Sequence, residues 1–299
     1  MSFFRSLLMP VFSCALSASC LAVQAAEVKR IVSTSPSVTG ILLAIDAPVV
    51  ASAATTPSRL TDAKGFFTQW AEVADARDVG VLYRNLQFDL EALIAVDPDL
   101  VVVSATGADS VAPHKAALQA QQLPVLVVDY SAHSWQELAV ELGERSGRMT
   151  QAQAAIQRFD VHVREAAAKL VRPAGNTSVV GYNLGGSYSI GRASSAQGRL
   201  LQAMGFTVNE LPQALSGQVT RSSDFQFISR ENLPAAITGD SVFLLGGTGS
   251  DVQAFLADPV LSNLPAVRNK RVYPLGPSSF RIDYYSGWQM ADSVASEYR

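Results

Sequence analysis

The sequence has almost no cysteine: Cys14 and Cys20 are the only two in 299 residues. Both fall in the first 25 residues. The rest of the chain therefore has no disulfide to staple a small core and no thiolate for redox or nucleophilic chemistry. Histidine is scarce too. His114, His133 and His162 stand far apart, and no His-x-x-x-His or Cys–His pair gives the ligand spacing of a zinc site. Basic charge is not in excess: 23 Lys and Arg face 26 Asp and Glu, a net charge of −3. That balance argues against a nucleic-acid partner. There is no Gly-x-x-x-x-Gly-Lys-Ser/Thr phosphate loop and no Gly-x-Ser-x-Gly elbow. The glycine-rich pieces "NLGGSYSIG" and "LLGGTGSD" lack the Gly-x-Gly-x-x-Gly spacing of a dinucleotide site. Nothing in the sequence marks an enzyme or an intrinsic cofactor.

The opening stretch, "MSFFRSLLMPVFSCALSASCLAVQAA", has one cation, Arg5, and then an apolar run from Leu7 to Val23. It closes on Val23-Gln24-Ala25, with small residues where a signal peptidase reads. We expect a cleaved secretory leader over 1–25. Lipid attachment would fall at Cys20, but Leu16 stands one position too far back for the usual lipobox. Losing Arg5 with the leader takes the net charge from −3 to −4.

Beyond the leader, strand-like and helix-like stretches alternate. The runs Val101–Val103 and Val125–Val128 have no polar alternation, which predicts strands covered on both faces, as in parallel α/β sheets. "RIVST", "PVVASA", "TSVVGYNL", "SVFLLGG" and "RVYPLG" read as further strands. "SAQGRLLQAMG" and the segment from Tyr284 read as helices, and the second half is expected to repeat the style of the first. Between the halves, "TQAQAAIQRFDVHVREAAAKLVRP" runs to Pro173 without a helix breaker. A helix of roughly 22 residues capped by Thr150 would span about 33 Å. It reads either as an ordinary crossover helix or as a rigid connector, and the matched halves favour the connector. The resulting division is an N-terminal lobe over 26–148, a connecting helix over 149–172 and a C-terminal lobe over 173–299. Glu91 and Glu231 occupy the same place in the two halves, each in the first turn of a predicted helix. Dipole compensation, about 0.3–1 kcal/mol, explains either one alone but not the duplication.

Three segments together carry a resemblance: "RIVSTSPSVTGILLAIDAPVVASAATTP", "DPDLVVVSATGADS" and "AVRNKRVYPLGPSSFRIDYYSGWQ". They resemble the periplasmic ferric-siderophore-binding proteins of ABC importers, in the same order and over nearly the whole chain after the leader. The resemblance implies an α/β fold of two Rossmann-like lobes joined by one long helix, with the ligand in the cleft between lobes and little hinge motion. It implies a periplasmic monomer that binds a ferric catecholate siderophore and docks on an inner-membrane ABC permease through Glu91 and Glu231. Three departures stand out. Only "AEVK" precedes the first strand, where relatives carry a hairpin. Gln87-Phe88-Asp89 replaces the usual "EPN", and Arg192 lies beside the position, near Gly191, where close relatives carry a tryptophan.

A tris-catecholate complex of Fe(III) carries three negative charges on an already coordinated metal, so iron is held only through the siderophore. The protein must then offer cations and flat faces, and arginine supplies both. The candidates are Arg281, within "SSFRIDYYSGW", Arg221, Arg192 and Arg84, with Arg59 a further one. Tyr188 and Tyr83 are candidate stacking partners. Arg59, Arg84 and Arg192 read equally well as surface charges, and Arg281 has Asp283 as a rival partner. Haem, cobalamin, ferric citrate or a hydroxamate chelate remain open as ligands, although no histidine is expected in the cleft for haem. A secreted α/β hydrolase or a scaffold module remains open as a different class.

Overall fold

The computed structural model describes residues 28–171, 175–221 and 224–298. The leader read over 1–25 lies outside the described residues, as do Arg172 and Pro173 at the predicted end of the connector. The first lobe comprises β1 (Ile31–Ser33), α1 (Pro36–Ala44), β2 (Val49–Ser52), α2 (Thr68–Ala76), β3 (Gly80–Val81), α3 (Leu90–Ala95), β4 (Leu100–Ser104), α4 (Lys115–Ala120) and β5 (Val125–Val128). Its sheet runs β3-β2-β1-β4-β5, with every pair parallel. Strand β4 is buried along its whole length. Helices on both faces leave it no solvent side, which is why its sequence does not alternate.

Helix α5 (Trp135–Ser146) starts on a capping box between Ser134 and Glu137 and stops at Gly147, where φ is +72°. Helix α6 (Met149–Ala168) follows at once and is the connector, 20 residues long and so about 30 Å. Its cap position is Arg148, not Thr150. The Gly147–Arg148 turn is so tight that α6 has begun before Thr150, which sits in its first turn.

The second lobe comprises β6 (Thr177–Leu184), β7 (Ser187–Gly191), α7 (Ala196–Ala203), β8 (Thr220–Arg221), β9 (Phe225–Ile228), α8 (Leu233–Ala236), β10 (Ser241–Leu244), α9 (Gly249–Ala257), α10 (Pro265–Arg268), β11 (Val272–Pro274) and α11 (Tyr284–Glu297). The sheet order is β11-β10-β6-β7-β9-β8. Strands β11, β10 and β6 are parallel, whereas β7, β9 and β8 pair antiparallel. The second half therefore does not repeat the first. Gly185 and Gly186, at φ +60° and +83°, make the two-residue turn that folds β7 straight back on β6.

One apolar core runs through both lobes. It joins Ile31, Ile41 and Trp70 of the first lobe, Phe159 and Val163 of α6, Val179 and Phe243 of the second sheet, and Met290 and Val294 of α11. Helix α11 packs on α6, α1 and α2, so the last helix crosses back onto the first lobe. Gly40 of α1 permits that approach: a Cβ there would lie 2.6 Å from Asp283 Oδ2 and 2.7 Å from the Trp70 ring.

Candidate functional site

After β11 the chain makes a 3-10 turn over Pro277–Phe280. Ser279 fixes it, accepting from Gly246 N–H at 2.9 Å and donating to Gly276 O at 2.7 Å. Gln197 of α7 donates to the carbonyls of Ser279 and Phe280 at 2.8 and 3.2 Å. The turn so held leaves the Phe280 ring 44% exposed and delivers Arg281 between the lobes. Asp283 is not the partner of Arg281. It is buried, caps α11 by accepting from Ser286 N–H at 2.8 Å, and takes a contact from Gln69 Nε2 at 3.4 Å. Burial holds its carboxyl above the usual range, against the hydrogen bonds of Ser286 and Gln69. The Arg281 guanidinium lies instead over the ring of Tyr130, in the first lobe, 4.2 Å from its centroid. This is cation–π distance across the cleft.

Tyr130 follows β5, as expected of a residue at the carboxyl end of a strand at a cleft. Its hydroxyl donates to Asp109 Oδ1 at 2.5 Å. Burial first, then the Asp109 carboxylate, pushes the phenol up to about 12. It stays protonated and remains a donor.

Tyr130, Phe280 and Arg281 are shared walls of two cavities between the lobes. On one side lies an apolar chamber of about 260 Å³, lined by Pro36, Leu60, Phe67, Leu86 and Pro277 among others. On the other lies a polar chamber of about 270 Å³, which adds His133, Trp135, Arg199, Asp224, Phe225 and Phe227. The Phe225 and Phe280 rings are parallel, 6.3 Å apart, and Phe227 is 39% exposed. Burial raises the Asp224 carboxyl despite the opposing charges of Arg281, Arg199 and Arg192. The polar chamber thus presents two guanidinium groups and several aromatic faces, drawn from both lobes. Among the described residues, no three His, Cys, Asp or Glu side chains group as a metal site.

The other predicted residues scatter. Tyr83 is a correction: it is 9% exposed, packs edge-on against Phe88 and donates to Thr34 O at 3.4 Å, inside the first lobe. Its neighbour Arg84 is exposed and donates to Lys64 O at 3.3 Å, outside both chambers. Tyr188 lies against Tyr182 on the far face of the second sheet, beside the Tyr182–Asp258–Arg230 cluster. Arg192 follows β7, which runs opposite to β6, and its Nε faces Glu210 at 4.0 Å. Arg59 reaches Asp251 of α9 at 3.7 Å, bridging the lobes at the rim. Arg221 is in β8 opposite Gln226, and its side chain lies outside the described ones. Glu91 is exposed in the first turn of α3. Glu231 is exposed too, but in a 3-10 turn, Arg230–Asn232, rather than an α-helix.

Sequence reasoning missed Arg199, Phe225, Phe227, Tyr130 and His133. Arg199 sits on helix α7 and not in a loop at the carboxyl end of a strand, where cleft cations are expected. Tyr130 had a usable signal in its place just after a strand. The expectation of no histidine at the cleft is overturned by His133, which lines the polar chamber.

Two α/β lobes on a shared core, with a cationic and aromatic cleft between them, define a two-lobed solute-binding protein. The profile of the family described as "Periplasmic binding protein" matches residues 31–278, and the chain belongs to that family. It is a binding protein and not an enzyme, which removes the hydrolase reading. It is 41% identical over 270 residues to the ferric enterobactin-binding periplasmic protein FepB of Escherichia coli strain CFT073, covering 89% of this chain and 84% of that one. It is similar to the crystal structure of holo-ViuP, with a TM-score of 0.82 and 40% identity, over 91% of this chain and 90% of that one. Staphylococcus aureus SirA complexed with staphyloferrin B shares the fold, with a TM-score of 0.68 and 16% identity, over 91% of this chain and 94% of that one. No helix of the described residues is long and apolar enough to cross a membrane.

Proposed function

We propose that this protein captures a ferric catecholate siderophore of the enterobactin kind in the periplasm and delivers it, as a monomer, to an inner-membrane ABC permease for iron uptake. The observation that carries the reading is the polar chamber, where Arg199 and Arg281 stand among Tyr130, Phe225, Phe227 and Phe280. The guanidinium groups match the oxyanions of the chelate, and the rings match its catechol faces. The iron arrives fully coordinated, so the chain needs no metal ligands of its own. The 41% identical relative, whose name is that of a ferric enterobactin-binding protein, supports the same class. Arg221, Arg192, Arg84 and Arg59 stay in the proposal as contributors at the rim, and Glu91 and Glu231 as the permease contacts. Cleavage of the leader over 1–25 completes it.

Trp135 lines the polar chamber, so its fluorescence reports occupancy. Titration with ferric enterobactin should quench it saturably at micromolar ligand or below. Haem, cobalamin, ferric citrate and a ferric hydroxamate should compete poorly. Haem is the informative rival because of His133. Tighter binding of haem than of ferric enterobactin would overturn the catecholate assignment.

A further inference from the structure

Asp109 is out of place by charge alone. It is 8% exposed and lines the apolar chamber, next to the polar one assigned to a trianion, so its carboxylate repels the ligand. Its oxygens are fully engaged: Oδ2 accepts from Ser35 Oγ and Oδ1 from Tyr130 Oη, both at 2.5 Å. Ser35 is the cap position of α1 and is itself fully buried. The loop carrying Asp109 also closes over the phenol. Gly107, at φ +85°, has no room for a Cβ, which would lie 1.6 Å from Tyr130 Oη. The Tyr130 ring is therefore pinned at its tip, and Arg281 of the other lobe rests on its face.

We propose that Asp109 is a positioning residue for Arg281, acting through Tyr130: it fixes the phenol, and the fixed ring holds the guanidinium ready for an anionic chelate. Ordering a long side chain before the ligand arrives removes that cost from binding. The buried carboxylate is tolerated because two short hydrogen bonds satisfy it. The inference rests on the ligand reading for its binding test only.

Electrostatics and positioning predict opposite signs for Asp109→Asn. Removing a negative charge from the cleft should tighten anion binding; loosening Tyr130 should weaken it. We expect Asp109→Asn and Tyr130→Phe each to weaken ferric enterobactin binding about tenfold, the worth of one hydrogen bond to a charged group. The double variant should bind no worse than Tyr130→Phe alone, because Asp109→Asn only strips the charge from the acceptor of the bond that Tyr130→Phe removes. Without ligand, the ring current of Tyr130 should move the Arg281 side-chain proton resonances upfield in the wild type, and both variants should lose that shift. Unchanged or tighter binding by Asp109→Asn, multiplying effects in the double variant, or an intact upfield shift would each overturn the proposal. If Asp109→Asn does not fold, Tyr130→Phe removes the bond from its other end and decides alone. A wild type that ignores ferric enterobactin sinks the ligand reading, while the resonance shift still decides the positioning role.

Discussion

Arg281 and Arg199 carry the same charge into the same chamber but differ in exposure, and that difference predicts different salt behaviour. Arg281 is half-buried and stacked on Tyr130. Arg199 is exposed on α7 and donates to Ser194 O. A unit charge pair at 4 Å is worth about 1 kcal/mol in water and about 4 kcal/mol at an effective dielectric near 20, before desolvation. Arg199→Ala should therefore sit near the aqueous limit and weaken ferric enterobactin binding about fivefold. Arg281→Ala should cost about 2–3 kcal/mol, roughly 30- to 150-fold, in line with truncating one side of a desolvated charge pair. Raising ionic strength from about 0.15 M to about 1 M shortens the screening length from about 8 Å to about 3 Å. The Arg199 effect should then vanish, while most of the Arg281 effect survives. Arg281→Lys keeps the charge but not the flat face that lies on Tyr130, so it should restore only part of the loss. Fluorescence titrations of the wild type and three variants at both salt concentrations measure all of this. Equal salt sensitivity of Arg199→Ala and Arg281→Ala, or no loss in Arg281→Ala, would refute the reasoning.

Two further outcomes are expected. Asp283 is buried with its carboxyl held above the ordinary range, chiefly by desolvation, so its stabilising contribution is full below the unfolded carboxylate pKa and is lost as pH rises through the higher folded one. Asp283→Asn keeps a good helix cap without the buried charge, so its Tm advantage over the wild type should grow from pH 4 to pH 8 in thermal melts; a variant less stable than the wild type at the upper end contradicts this. Glu91→Ala combined with Glu231→Ala should leave siderophore binding intact and lower uptake into iron-starved cells by at least about tenfold, since two charge pairs to the permease are lost. Normal uptake would dismiss the docking role.

The first lobe was legible because its signals are local. Unbroken valine runs predict β4 and β5 as covered parallel strands; both are parallel and β4 is buried throughout, but β5 is the sheet edge and leaves Val127 50% exposed, so its apolar run overstated its cover. The connector was legible from its uninterrupted length. The second sheet was not, because the glycines of "NLGGSYSIG" read only as a failed dinucleotide spacing, while the Gly185-Gly186 pair is a hairpin turn. That one turn reverses β7, and with it Tyr188 goes to the far face of the second sheet while Arg192 is left at the rim, facing Glu210. Tyr83 failed for another reason: along extended chain, neighbouring side chains point to opposite sides, and the inward side fell to the tyrosine while Arg84 took the solvent. Arg281 was legible from its aromatic surroundings, yet its partner lies 151 positions away in sequence at Tyr130. No local pattern announces such a pairing.

Helix α11 also bears on how the chain folds. Ile31 and Ile41 share one core with Met290 and Val294, about 250 residues further along the sequence. Helices α2 and α5 can pack on α1 early, because all three lie in the first half of the chain. The faces of α1, α2 and α6 that α11 covers stay open until that distant segment arrives. The arrangement slows folding, since closing this part of the core joins segments so far apart in sequence.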